Sequence, residues 1–117
     1  MDRKKAGETA EERAVSYLKS LGYTILERNF SSRFGEIDII AKDKDTLVII
    51  EVRSRSYKYF GMPEETVDKN KIKKIIKTTQ IFLQKRNPDF SDLRFDIISI
   101  LHNNISHIKN AFDMEFL

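Results

Sequence analysis

The stretch GEIDIIAKDKDTLVIIEVRSR, residues 35–55, decides how this chain folds. Two apolar, β-branched runs flank the polar segment Lys42 to Asp45. This pattern predicts two strands, Gly35 to Ala41 and Thr46 to Arg53, and the short connection makes them an antiparallel hairpin. Asp38 stands between Ile37 and Ile39, and Glu51 between Ile50 and Val52. Acidic residues are depleted in strands and rarely buried without a partner or a task. These two positions therefore mark the chemistry.

Side chains alternate across a strand. Leu47, Ile49, Glu51 and Arg53 share one face of the later strand; Val48, Ile50 and Val52 share the other, against a helix. On the earlier strand Glu36, Asp38 and Ile40 share a face. With Lys44-Asp45 as a two-residue turn, Asp38 lies opposite Glu51; with Asp43-Lys44 the two are diagonal neighbours on one face. A three-residue turn would separate them. Like charges directly opposite destabilise a sheet, and such a pair is kept where a cation or proton sits between them. Asp38 and Glu51 are the candidate metal ligands. An oxygen-rich site completed by substrate phosphate suits Mg²⁺ or Mn²⁺. Arg53 points into the same site, where a guanidinium can hold a phosphate but is a poor general base. Glu36 belongs at the rim. These parts suit metal-assisted phosphodiester hydrolysis. The competing account is an internal salt-bridge cluster in which Arg53 and Arg55 neutralise Asp38 and Glu51.

Toward the N-terminus, Met1 to Lys5 is polar and basic, and a helix is predicted over Gly7 to Leu21. Its apolar stripe is Ala10, Ala14, Tyr17, Leu18 and Leu21, with Gly22 as the C-cap glycine. At about 100° per residue, Glu12 points away from the stripe, Glu8 mostly outward, and Glu11 falls on its flank. Glu11 is thus the candidate fourth member of the site. A strand over Tyr23 to Phe30 follows, with Tyr23, Ile25 and Glu27 on one face, and then a turn over Ser31 to Phe34.

Toward the C-terminus, Ser54 to Val67 holds no clear element. Arg55, Tyr57 and Lys58 there offer rings and cations that suit nucleic acid, unless the aromatics cover a core edge. Asp68 is an N-cap candidate for a helix to Arg86, whose buried stripe is Ile72, Ile75, Ile76, Thr79, Phe82 and Leu83. Lys69, Lys71 and Lys74 are its candidate phosphate contacts, against a solvated-face alternative. Leu93 to Leu101 reads as a central strand, Asn103-Asn104 as a turn, and Ile105 to Ile108 as a short last strand. His102 and His107 read as surface residues.

The order is helix, three strands, helix, two strands: an α/β protein of the α+β type, with a mixed sheet flanked by helices. The crossover through the second helix makes the third and fourth strands parallel. The chain of 117 residues suits one domain spanning 1–117. Absence of cysteine excludes disulfides and thiol chemistry. No apolar run is long enough to span a bilayer and no signal pattern opens the chain, so a cytoplasmic protein, monomer or homodimer, is expected. The net charge of +3 gives weak support for a polyanionic partner.

This arrangement resembles the restriction-endonuclease-like nucleases, the PD-(D/E)xK superfamily. Their motif, an acid in the first helix, Asp in the second strand and (D/E)xK in the third, matches Glu11, Asp38 and Glu51-Val52-Arg53. A more specific likeness is to the YraN family of small bacterial proteins, often called endonucleases. It rests on Ala14, Tyr17-Leu18, Gly22-Tyr23, Arg28-Asn29, Gly35-Glu36-Ile37-Asp38, Glu51-Val52-Arg53-Ser54-Arg55, Phe60-Gly61, Lys71, Phe95-Asp96 and Asn110-Ala111-Phe112. The resemblance implies a metal-dependent nuclease on DNA, with structured or damaged DNA as a candidate substrate, or a nucleic-acid-binding module that retains the fold. Two positions depart from the pattern: Arg53 stands where the superfamily has lysine, and Ala10 where the family has glycine.

Overall fold

The structure is a computed structural model that describes residues 8–54 and 69–113. The expectations for Met1 to Lys5, for Arg55, Tyr57, Lys58 and the surrounding loop, for the Asp68 cap and for the last residues lie outside that range. In chain order the elements are α1 (Ala10–Ser20), β1 (Thr24–Ser32), β2 (Gly35–Asp43), β3 (Thr46–Ser54), α2 (Lys69–Arg86), β4 (Asp92–Leu101) and β5 (Asn104–Phe112). The strands form one sheet in the order β1-β2-β3-β4-β5. All neighbours are antiparallel except β3 and β4, which the α2 crossover makes parallel. This is the expected α+β architecture.

Each face of the sheet buries a separate cluster. Phe30, Ile40, Leu47, Ile49, Phe95 and Ile97 pack against Ile72, Ile75, Ile76 and Phe82 of α2. Tyr23, Ile39, Ala41, Val48, Ile50 and Ile98 pack against Ala14, Val15 and Leu18 of α1. The strand alternation in residues 47–50 thus splits between the two helices as its sequence dictates. Among the described residues no helix is long and apolar enough to cross a membrane.

Helix α1 begins at Ala10, where its apolar stripe starts, and not at the expected Gly7, because Thr9 caps it. The Glu12 backbone N–H donates to Thr9 Oγ1 and the Thr9 N–H donates to Glu12 Oε1, a reciprocal capping box. Glu12 therefore serves the helix end. Leu21 is 51% exposed and belongs to the cap, while Val15 takes a buried place. The end is a Schellman motif: Tyr23 N–H donates to Leu18 O and Gly22 N–H to Lys19 O. Gly22 needs its φ of +94°, and a Cβ there would meet no atom within 4 Å. Gly22→Ala is thus expected to cost about 1–2 kcal/mol through backbone strain alone. Urea unfolding measures it, and an unchanged midpoint would refute the cap's role.

Glu27 does not share a face with Tyr23 and Ile25. Ile25 pairs with Ala41 and Glu27 with Ile40, so Leu26 is the extra residue of a β-bulge. The bulge turns Glu27 toward the C-terminus of α2, where Arg86 holds it through Nε and Nη2, both at 3.0 Å. Strand β5 is also longer than expected. Its turn is His102-Asn103, with His102 at φ 54°, and it continues through Ala111 and Phe112.

Candidate active site

The β2–β3 turn is Lys44-Asp45, with Lys44 at φ 56°. Regular pairing runs from Asp43 and Thr46 to Ile39 and Ile50. One step further stand Asp38 and Glu51. There the ladder stops, and the Val52 N–H donates to Asp38 Oδ2 at 2.8 Å. A side chain has replaced a backbone carbonyl as acceptor. Strict alternation breaks at the same point, since Ile37 and Ile40 both pack on the α2 side. The two carboxyl groups lie close enough to act on one another. Burial, first, and the neighbouring Glu51 charge push the Asp38 carboxyl up to about 7, with a smaller push from Glu11. The Val52 N–H acts in the opposite direction without prevailing.

Glu51 is buried, yet two cations reach it. Lys71 Nζ of α2 lies 2.6 Å from Glu51 Oε2, and Arg53 Nη2 lies 4.0 Å from the same oxygen. Lys71 is therefore in the acid pair, where the sequence reading had it on the nucleic-acid face. The signal was present. At about 100° per residue Lys71 falls on the flank of α2 that carries Thr78 and Phe82. That helix covers Leu47 and Ile49, which share strand parity with Glu51.

Glu11 borders the sheet as its helical angle demands. Its carboxylate accepts from Arg28 Nε at 2.8 Å and from Asn29 Nδ2 at 3.0 Å. Asn29 reaches it from a left-handed conformation, φ 55°, which asparagine tolerates well. Glu36 is exposed and accepts from Ser31 Oγ at 3.3 Å, on the neighbouring strand. Lys69 and Lys74 are exposed on α2.

Among the described residues no three His, Asp or Glu side chains converge on a metal-sized space. Asp38 and Glu51 are then the donors that this site offers. Their mutual repulsion is what a divalent cation would relieve, and two carboxylates plus a substrate phosphate match the needs of Mg²⁺ or Mn²⁺.

A second polar cluster lies toward α1. Asp96 is almost wholly buried. It accepts from Arg94 Nε at 3.0 Å, Arg94 Nη2 at 3.1 Å, His107 Nε2 at 2.7 Å and the Asn110 N–H at 3.1 Å. Burial alone would push its carboxyl up, but these donors outweigh burial and hold it below the usual carboxylate range. His107 is 5% exposed in its side chain, so it is not the surface residue expected. Its Nδ1 sits 3.0 Å from Tyr17 OH. Burial and the Asp96 charge raise the Tyr17 hydroxyl, so it stays protonated and donates to the ring. Arg94 Nη2 also donates to Tyr23 OH at 2.7 Å. Polar spacing along β5 hid this cluster, because its members come from α1, β4 and β5 and from Tyr23 just before β1.

The element order and mixed sheet are those expected of a restriction-endonuclease-like core. Residues 10–100 match the model described as uncharacterised protein family UPF0102. A UPF0102 protein of Persephonella marina is 58% identical over 110 residues, covering 94% of this chain and 95% of its own length. UPF0102 proteins of a Sulfurihydrogenibium species and of Clostridioides difficile are 43% and 45% identical, over 98% and 96% of this chain and 100% of their own. The chain belongs to the UPF0102, or YraN, family.

Proposed function

We propose that this protein is a Mg²⁺- or Mn²⁺-dependent nuclease that hydrolyses phosphodiester bonds in DNA, with structured or damaged DNA as candidate substrates. The carrying observation is the placement of Asp38 and Glu51 one step beyond the last regular β2–β3 pair, where Asp38 takes the Val52 N–H and Lys71 reaches Glu51; two neighbouring acids so held suit a site that takes up cations. In this reading Asp38 and Glu51 hold the ion. When bound, it supplies Lewis-acid polarisation of the phosphate and acidifies a water. Lys71, 2.6 Å from Glu51, provides the ammonium that the third strand lacks, since Arg53 stands at the lysine position. Arg53 offers a fixed positive charge to the phosphate as negative charge develops. Glu11, already tied to Arg28 and Asn29, holds the edge of the site rather than the ion.

The second reading, a nucleic-acid-binding module without catalysis, draws on α2, which has seven Lys and Arg and no acid. One experiment separates them. Cleavage of labelled DNA with Mg²⁺ or Mn²⁺ should vanish with EDTA. It should fall on the order of 100-fold or more in Glu51→Gln and in Lys71→Ala, the scale of losing one charge-stabilising group. DNA left intact across duplex, branched, single-stranded and lesion-bearing substrates would reject catalysis and leave the binding module.

A further inference from the structure

The turn between β1 and β2 is Arg33-Phe34, and it is fixed to α2. Ser32 Oγ lies 2.8 Å from Thr78 Oγ1, and the Phe34 N–H donates to Ser32 Oγ at 3.0 Å. A Cβ on Gly35 would stand 3.7 Å from Lys74 Cβ, so the turn backbone runs close along the helix. Two cations converge on the Phe34 ring: Arg33 Cζ at 4.9 Å and Lys77 Nζ at 5.1 Å from its centroid.

Several other cations near the sheet are spent on acids. Arg28 faces Glu11, Lys71 faces Glu51, Arg86 faces Glu27 and Arg94 faces Asp96. Among the described residues, no carboxylate comes within 4.0 Å of Arg33, Lys74 or Lys77. An aromatic ring orders a cation without neutralising it. Arg33 and Lys77 are therefore held in place with their charge still available to an outside anion. Lys71, Lys74 and Lys77 are spaced three apart along α2, about 4.5 Å per step at 1.5 Å per residue. The row begins at the Glu51 partner and ends about 9 Å away, a span of roughly two to three phosphates of a B-form strand.

We propose that Lys74, Lys77 and Arg33 form a phosphate track that holds the DNA backbone on one side of the acid pair. Phe34 is its positioning residue, and the track reads charge rather than sequence. The inference rests on the nuclease reading for the place of the scissile phosphate, but it has its own readout.

The test is fluorescence anisotropy of the full-length protein in EDTA with a labelled 20-bp duplex, over a series of salt concentrations. Beside it, cleavage is measured with Mg²⁺ and Mn²⁺. Each of Arg33→Ala and Lys77→Ala should lower the slope of log affinity against log salt by about 0.9 and weaken binding several-fold. Phe34→Leu should weaken binding about 2–5-fold with the slope nearly intact, because the charges remain but are no longer ordered. Lys85→Ala, in the last turn of α2, should change neither by a comparable amount. Slopes for Arg33→Ala and Lys77→Ala equal to wild type, in a protein that still cleaves, would overturn the track and leave the nuclease reading standing. Lowered slopes in a protein that never cleaves would support the track and reject catalysis. No duplex binding by the wild type would overturn the track outright.

Discussion

Asp38→Asn is expected to abolish cleavage and, in the same protein, to raise thermal stability at pH 8. The two effects have one origin. Asparagine keeps an oxygen to accept the Val52 N–H and gains an amide N–H that can donate to Glu51, so the local geometry survives while the like charge disappears. The sign follows from linkage. The folded Asp38 pKa, about 7, lies above its ordinary value of 3.8. Between those values the native state holds a proton that the unfolded chain has released, so stability falls as pH rises through this window. Above pH 7 the full cost remains. Replacing the acid removes that cost. Solvent screening at a partly exposed site reduces the full linkage value to about 1–2 kcal/mol at pH 8, or roughly 5 °C in Tm. The gain should shrink at pH 5, where the wild-type carboxyl is protonated. Melting curves in EDTA at both pH values measure this. A loss of stability at pH 8, or equal gains at both, would show that the pair is not strained. Mg²⁺ should raise the wild-type Tm at pH 8 by mass action and leave the variant's unchanged.

The hairpin of residues 35–54 was legible because two short-range rules govern it. A two-residue turn fixes the register, and alternation sends Leu47 and Ile49 to α2 and Val48 and Ile50 to α1. Helical angle likewise placed Glu11 at the border of the sheet, where Arg28 and Asn29 hold it. What escaped were departures from regular periods. The bulge at Leu26 turns Glu27 over to Arg86. The break at Asp38 exchanges a backbone acceptor for a carboxylate. Neither leaves a trace in the apolar pattern. The Asp96 cluster escaped for another reason: its parts lie far apart in sequence, Tyr17 and His107 by 90 residues. No local window contains it. Lys71 was visible as a cation of α2, but its ion pair with Glu51 was not, because the face of Glu51 and the rotation of α2 had to be combined to see it.

The larger stability loss is expected at Asp96, and it defines the opposite electrostatic case. Asp96 is the more deeply buried acid, yet the raised carboxyl is that of Asp38, because Asp38 faces another carboxylate whereas Asp96 faces Arg94, His107 and the Asn110 N–H. One carboxyl is raised and the other held low. Strain at Asp38 is what a site for an external cation requires; satisfaction at Asp96 is what a tie between elements requires. Through Tyr17, Tyr23, Arg94 and His107 the tie joins α1, the residue that leads into β1, β4 and β5, and Arg94 Nη1 also lies 3.7 Å from Asp43 at the end of β2. Asp96→Ala removes the hydrogen-bonding carboxylate from a guanidinium that is 14% exposed and leaves its charge only the longer 3.7 Å contact with Asp43. Breaking a buried pair in this way costs about 3–5 kcal/mol, or roughly 15 °C in Tm for a chain of this size. The pH dependence runs opposite to that of Asp38. A carboxyl held below 3.8 stabilises the fold above that value, and its contribution disappears as pH falls through the folded pKa. The deficit of the variant should therefore be full at pH 7 and narrow in strong acid. Thermal and acid unfolding of Asp96→Ala beside the wild type measure both. A variant within about 1 kcal/mol of wild type at pH 7 would mean that the network is not what ties α1 to the sheet.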